Sequence, residues 1–163
     1  MTSENNKHYF LTKDEAQFFT ALGILVVPAG KDPASSPGAV EVGGVNYIDS
    51  TLFDFPKGVQ EYFRGIVKLI NEKSQERYRK DFASLGQPDQ EFVLRSFFSD
   101  PLTRERAFDL RSIVLESFYS DYHDPSYHGI TAWGAIQFEG KRISGIKKDW
   151  SFLKNWRDSD QQK

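Results

Sequence analysis

The chain has 163 residues with a net charge of −2, from 21 basic and 23 acidic side chains, and it contains no cysteine. The lack of cysteine excludes disulfides, zinc–thiolate sites, thiol nucleophiles and cysteine-ligated iron–sulfur clusters. Basic residues never occur more than two in a row, as in Arg79-Lys80. A nucleic-acid binder would normally carry a basic patch, so we do not expect a nucleic-acid partner.

Aromatic residues form 15% of the chain, which fits two interpretations about equally well. They could all belong to an aromatic-rich core, or some could form a docking face, since aromatic side chains are enriched at protein interfaces. No apolar stretch approaches the roughly 20 residues that span a bilayer, so we expect no direct membrane insertion. Residues 1–8 are polar and show no secretory signal. A periplasmic and a cytoplasmic location both stay open.

The first helix has a well-defined start. Thr12 is a candidate N-cap and Glu15, three residues later, completes a capping box. Leu11 and Ala16 stand where a hydrophobic staple would form. Apolar residues then recur at helical spacing, and Pro28 with the glycine that follows it predicts the end. The apolar residues are Phe18, Phe19, Leu22, Leu25 and Val26.

Prolines and glycines divide the next stretch. Residues 31–37 predict a loop, and Ser36-Pro37 resembles an N-cap followed by proline at the first helical position. This predicts a short helix over Gly38–Val42, broken by Gly43-Gly44. A second short helix is predicted over about Val45–Phe53.

Three longer helices follow. The most regular one carries apolar residues at one 3.6-residue period, and the charged run Lys73–Asp81 is predicted to extend it. Pro88 opens the next helix, and Asp100-Pro101 ends it. The last long helix is predicted over Thr103–Tyr119. The predicted inward residues are Val59, Tyr62, Phe63, Ile66, Val67 and Ile70, then Phe92, Leu94 and Phe97 or Phe98, then Leu110, Ile113, Val114 and Phe118.

No segment shows sustained alternation of apolar and polar residues, so a sheet is not expected. The sequence predicts an all-α fold, a single-domain bundle of about five or six helices with an irregular C-terminal segment. We assign residues 1–163 to this one domain, with 1–9 and 157–163 flexible. After Ser120 the chain becomes polar and aromatic, with a short helix predicted over Thr131–Ile136 and a second aromatic group over Asp149–Trp156.

The sequence offers little catalytic machinery. It contains no glycine-rich nucleotide loop and no catalytic serine or metalloprotease motif. Glu116 with Ser120 lacks the imidazole that a nucleophile–base pair needs, and Glu72 with Glu76 is most simply a solvated helix face. We therefore predict no catalytic residue, no cofactor-binding residue and no metal ligand in this chain.

One polar cluster allows an alternative. Asp121, His123, Asp124 and His128 lie within eight positions and could bind a divalent metal. Such a site would make the chain a metal-dependent enzyme. A loop that contains Pro125 gives these side chains no fixed spacing, so we favour a surface loop in which they bond to turns and backbone N–H groups.

Four stretches, in order, resemble one known family, the gluconate 2-dehydrogenase subunit 3 family, whose members are small subunits of flavin-dependent sugar and sugar-acid dehydrogenases. They are Phe10–Ala16; Val27–Ala29 with Ser36–Gly43 and Tyr47–Asp49; Phe82–Leu85; and Glu116–Asp121 with Tyr127, Gly129 and Trp133–Phe138. The chain departs from the family where Tyr122-His123-Asp124 precede Pro125 and where His128 replaces a usual glycine. It also lacks the twin-arginine signal of many members.

The resemblance implies a complex. The large subunit would hold FAD and oxidise a sugar or polyol hydroxyl, and a cytochrome subunit could belong to the same complex. This chain would bind and stabilise the large subunit and assist its maturation, or, alternatively, act as a chaperone that dissociates afterwards. We predict that the contact with the large subunit includes an aromatic and polar group after the last long helix. These residues are Tyr119, Asp121, Tyr122, Tyr127 and Trp133.

Overall fold

The computed structural model describes residues 9–120 and 128–135. Within these ranges the chain forms six α-helices and one 3₁₀ turn and no β-strand, which confirms the all-α prediction. The helices are α1 (Lys13–Val26), α2 (Gly44–Asp54), α3 (Lys57–Tyr78), α4 (Gln87–Ser99), α5 (Arg104–Tyr119) and α6 (Ala132–Ala135), with the 3₁₀ turn at Phe82–Ser84 between α3 and α4.

Helix α1 begins as its sequence predicts. The Glu15 N–H donates to the Thr12 hydroxyl at 3.2 Å, and the Thr12 N–H donates to the Glu15 carboxylate at 2.8 Å. This is the reciprocal capping box. Leu11 and Ala16 are both buried in the same core, as the staple predicts.

The predicted helix over Gly38–Val42 is wrong, because consecutive turns occupy this stretch. Within the stretch only the Val42 N–H bonds four residues back, to the Gly38 carbonyl at 3.4 Å, so no helical ladder develops. The Gly38 N–H donates to the Glu41 carboxylate at 2.9 Å, and the Ala39 N–H donates to the Val27 carbonyl at the end of α1, at 3.0 Å. The Gly44 N–H then closes the turns on the Ala39 carbonyl at 2.8 Å. The segment thus packs against the end of α1 instead of winding into a helix of its own.

Helix α2 covers the predicted second helix and carries a buried carboxylate. Asp49 is 2% exposed and accepts three consecutive backbone N–H groups from the segment before α1. The distances are 2.7 Å from Tyr9, 3.0 Å from Phe10 and 2.7 Å from Leu11. Asp49 therefore fixes the start of α1 against α2.

Helix α3 confirms the periodic pattern, with Phe63, Ile66, Val67 and Ile70 buried along one face. The face is narrower than predicted, since Tyr62 at its edge is partly exposed. The charged run continues the helix only to Tyr78 and not to Asp81. Arg79 ends it in the left-handed conformation, with φ of 59°.

Helix α4 differs from its predicted orientation. Phe92 was predicted to face inward but is 46% exposed, whereas Val93 is buried. The buried face runs through Gln90, Val93, Leu94 and Phe97, at i, i+3, i+4 and i+7. Its first member is polar, and the Gln90 side-chain amide donates to the Phe82 carbonyl at 3.0 Å. A buried glutamine at this position hides the true face from a hydrophobicity pattern.

Helix α5 has the predicted buried stripe of Leu110, Ile113 and Val114, and the stripe ends in Ser117, with Phe118 only half-buried. The Ser117 hydroxyl donates to the Val114 carbonyl at 2.8 Å, so this buried polar group has a hydrogen-bond partner. Helix α6, described over Ala132–Ala135, lies within the predicted Thr131–Ile136 and begins one residue later than predicted.

One hydrophobic core joins residues of α1 to α5 and the 3₁₀ turn. Among the described helices, none is long and apolar enough to cross a membrane. Tyr9, the last of the residues predicted to be flexible at the start, is held through its N–H by Asp49. Residues 1–8, the predicted flexible residues 157–163 and the aromatic group 149–156 lie outside the described ranges.

Candidate functional site

The end of α5 and the short helix α6 form the region that holds the describable part of the predicted interface. Tyr119 is the last residue of α5 and is 52% exposed. Trp133 lies in α6, and its indole N–H donates to the Tyr119 carbonyl at 2.6 Å. The structure thus brings these two predicted interface residues together. We call the region formed by Tyr119, Ile130 and Trp133 the α5–α6 surface.

Neighbouring residues hold this surface in place. The Tyr119 ring meets the half-buried Phe118 ring edge-on, with 5.0 Å between centroids. Ala132, the first residue of α6, is buried. The Ile130 N–H donates to the Ala34 carbonyl at 3.2 Å, so the loop before α6 is tied to the loop after α1. Ile130 itself is exposed. A partner would therefore meet the exposed side chains of Tyr119 and Ile130 beside the half-buried Trp133.

The other three predicted interface residues, Asp121, Tyr122 and Tyr127, lie outside the described residues. So do His123 and Asp124 of the alternative metal cluster, while His128 is described and exposed. Among residues 9–120 and 128–135, no three His, Asp or Glu side chains converge as a metal site would require. The four-residue metal cluster stays an alternative to the surface loop that the sequence favours.

A hydrogen bond between distant parts of the chain lies one turn before Tyr119 on α5. The Tyr47 hydroxyl donates to the Glu116 carboxylate at 2.6 Å, across 69 residues of sequence. Burial and this bond both raise the pKa of the Tyr47 hydroxyl above its usual 10.0, so it stays protonated at neutral pH. Sequence reasoning did not find this pair, although both residues lie in stretches that resemble the family.

The carboxylates of Glu116, Glu72 and Glu76, which are candidates for acid–base groups by residue type, each contact another side chain. Glu116 accepts from Tyr47, and the hydroxyl of Ser120 donates to the Ser117 carbonyl at 3.1 Å, away from a nucleophile–base arrangement. Glu72 pairs with Lys68 at 3.8 Å and Glu76 with Lys73 at 3.3 Å on the exposed face of α3. These surface pairs contribute little stability, and they agree with a solvated helix face.

Comparison with known proteins identifies the family. No curated protein and no solved structure matches the chain. A family model, described as gluconate 2-dehydrogenase subunit 3, matches residues 13–140, which cover all six helices and the α5–α6 surface. The chain therefore belongs to the gluconate 2-dehydrogenase subunit 3 family, a family of dehydrogenase subunits.

Proposed function

We propose that this chain is the non-catalytic small subunit of a flavin-dependent sugar or polyol dehydrogenase complex. It binds and stabilises the large subunit that carries FAD, and it assists the maturation of that subunit. The observation that carries the proposal is the α5–α6 surface, where Tyr119 is exposed and Trp133 bonds to its backbone. Family membership supports the role of a subunit.

The α5–α6 surface has the properties of a binding anchor. Exposed tyrosine and tryptophan side chains often supply most of the energy of a protein interface, because they bury a large area with few rotatable bonds. The Trp133 bond to the Tyr119 carbonyl and the Phe118 ring restrict the Tyr119 backbone and side chain before any partner arrives. An anchor that is already ordered loses less conformational entropy on binding.

The ionisable groups with shifted pKa values also suit a binding role. Tyr47 and Tyr62 both have a raised pKa and both donate to a carboxylate, Glu116 and Asp109 respectively. A general acid or base works best with a pKa near the operating pH, whereas these two phenols stay protonated there. They serve to join helices, and the proposed chemistry belongs to the partner with its FAD.

The test is co-purification of the tagged chain with the flavoprotein of its own complex, with bound FAD measured by flavin absorbance. Tyr119→Ala should lower recovery of the flavoprotein at least tenfold, because loss of an interface anchor costs about 2 kcal/mol or more. Phe53→Ala is the matched control, since Phe53 on α2 is 56% exposed and lies outside the α5–α6 surface. It should leave recovery unchanged.

The outcomes separate the parts of the proposal. Full recovery with Tyr119→Ala, in a variant whose circular dichroism is unchanged, would contradict the interface. Failure of the unaltered chain to retain any FAD-carrying subunit would contradict the function itself. An active complex that contains much less than stoichiometric small subunit would instead indicate the dissociating chaperone.

A further inference from the structure

A groove on a different part of the molecule lies where α1, α4 and α5 meet. Its volume is about 360 Å³. Four apolar side chains line it, together with charged groups at its edges. The lining residues are Leu25, Val26, Leu94 and Phe98, with Glu91, Arg95 and Arg111.

Arg111 is exposed on α5, and within the described part of the chain it forms no salt bridge. Its own helix cannot supply a partner, because the residues three and four positions away are not acidic. They are Ala107, Phe108, Val114 and Leu115. A guanidinium at the edge of an apolar groove is therefore left available for a carboxylate from outside.

The second arginine is only weakly engaged. Arg95 meets Glu91 at 3.6 Å, one turn earlier on α4, and its side chain is 81% exposed. An exposed pair of this kind is worth well under 1 kcal/mol and is easily exchanged. With two arginines against one glutamate, the groove lining is positive, although the chain as a whole has a charge of −2.

The apolar floor of the groove continues beyond it onto the surface. The ring of Phe98 meets that of Phe108 edge-on at 5.3 Å between centroids. Phe108 is itself exposed. A contiguous apolar surface with arginines at its edge is typical of a protein interface, where arginine and aromatic residues are enriched.

We propose that this groove binds an acidic, apolar segment of the FAD-carrying subunit, a step that rests on the proposed function above. An apolar side chain of that segment packs between Leu94 and Phe98, and a neighbouring Asp or Glu accepts hydrogen bonds from Arg111. Guanidinium groups match carboxylates in a bidentate geometry. Low-dielectric walls strengthen such a pair relative to one in open water.

The position of the groove supports the large subunit as its occupant. Arg111 precedes Tyr119 by eight residues on α5, about 12 Å along the helix axis and about 80° around it. A partner that contacts the α5–α6 surface needs to extend only this far to reach the groove. The two sites would then belong to one continuous interface, centred on α5.

Charge reversal at Arg111 provides the first test. With the purified flavoprotein subunit, Arg111→Glu should raise the Kd at least tenfold, and the variant should lose most of the salt dependence of binding that the unaltered chain shows. Arg111→Lys, which keeps the charge, should recover part of the affinity. Lys80→Glu is the control, because Lys80 is exposed beyond the end of α3 and outside the groove.

A covalent test identifies the occupant. Arg111→Lys places a primary amine in the groove, and a carbodiimide joins such an amine to a contacting carboxylate through an amide bond. Mass spectrometry of the cross-linked complex should find Asp or Glu of the flavoprotein, within a few residues of an apolar side chain. A cross-link to Glu91, which lines the same groove, is expected in any case. Cross-links from this position to a second copy of the chain, with none to the flavoprotein, would overturn the proposal.

The two proposals can fail separately. If the unaltered chain binds the flavoprotein and Arg111→Glu binds it equally well, the groove is not part of the interface, although the subunit role stands. If the unaltered chain does not bind the flavoprotein, both proposals are wrong. Circular dichroism of each variant distinguishes a loss of binding from a loss of folding.

Discussion

Helix α3 and the segment from Pro37 to Asp49 both border the core but depend on their sequences in different ways. In α3, a repeated apolar face packs inward and charged residues face solvent, so most positions are interchangeable with others of the same class. Between Pro37 and Asp49, individual atoms make specific close contacts. Helix α3 is thus stabilised by a repeated class of apolar residue, whereas the segment from Pro37 to Asp49 is stabilised by particular residues.

We expect the largest effect from removing the Asp49 carboxylate, on which the segment from Pro37 to Asp49 is proposed to depend. Asp49→Asn leaves an amide NH₂ group near three backbone N–H donors, so at least one buried donor loses its acceptor. We expect the free energy of unfolding in urea to fall by about 3 kcal/mol or more. Asp54→Asn, at the exposed end of the same helix, should change it by less than about 0.5 kcal/mol. Similar values for the two variants would remove the special role of Asp49.

A pair of glycines contrasts the two regions directly. A Cβ at Gly44 would lie 2.5 Å from the Ala39 carbonyl oxygen and 2.7 Å from the Ser117 hydroxyl, whereas a Cβ at Gly65 in α3 would meet nothing within 4 Å. Gly44→Ala should therefore destabilise the protein by about 1–3 kcal/mol. Gly65→Ala should stabilise it by about 0.5–1 kcal/mol, since alanine favours a helix. Thermal unfolding of both variants measures the direction of each change in stability. Changes in the same direction would contradict the difference between the two regions.

The smallest effect concerns Tyr62, the residue at the edge of the α3 face. Burial and then the Asp109 hydrogen bond raise its pKa from 10.0 to about 12. Its contribution to stability is complete below pH 10 and declines as the pH rises from 10 to about 12, because the unfolded chain loses this proton first. The stability difference between the unaltered chain and Tyr62→Phe should therefore shrink across that range. Partial exposure of Tyr62 keeps the effect modest.

Asp109→Asn gives the control for this titration. It removes the hydrogen-bonding carboxylate but leaves the burial of the phenol, which is the larger cause of the shift. The decline in stability should then still begin near pH 10, where the unfolded chain loses the proton, but should end at a lower pH than in the unaltered chain, because only the effect of burial remains. A difference between Tyr62→Phe and the unaltered chain that stays constant from pH 9 to 12 would contradict the raised pKa.

The parts of the fold that follow local rules could be predicted from sequence. The capping box of Thr12 and Glu15 and the apolar face of α3 are short-range patterns, and both are confirmed. The helix predicted over Gly38–Val42 is wrong because the Gly44 N–H bonds to the Ala39 carbonyl in competition with a helical ladder, while the Ala39 N–H holds the stretch against the end of α1. Such competition depends on packing between segments, which no window of sequence contains.

The candidate site, like the fold, could be predicted only in part from the sequence. The sequence singled out Tyr119 and Trp133 by composition and by resemblance to the family, and the structure shows that they touch. It did not indicate the pairing of Tyr47 with Glu116, 69 residues apart, or the groove beside Arg111. The sequence shows that no acidic residue stands three or four positions from Arg111, but it does not show that a groove between three helices opens beside it.

The three hydrogen bonds to Asp49 also constrain the order in which the chain can fold. They join residues 9–11 to a side chain 38–40 positions later, so they cannot form until that residue has been synthesised and α2 has reached its place. Closing a loop of this length lowers the conformational entropy of the chain, and this loss is offset only once the hydrogen bonds to Asp49 have formed. During synthesis, the backbone of residues 9–11 can therefore reach its final place only after α2 has been made.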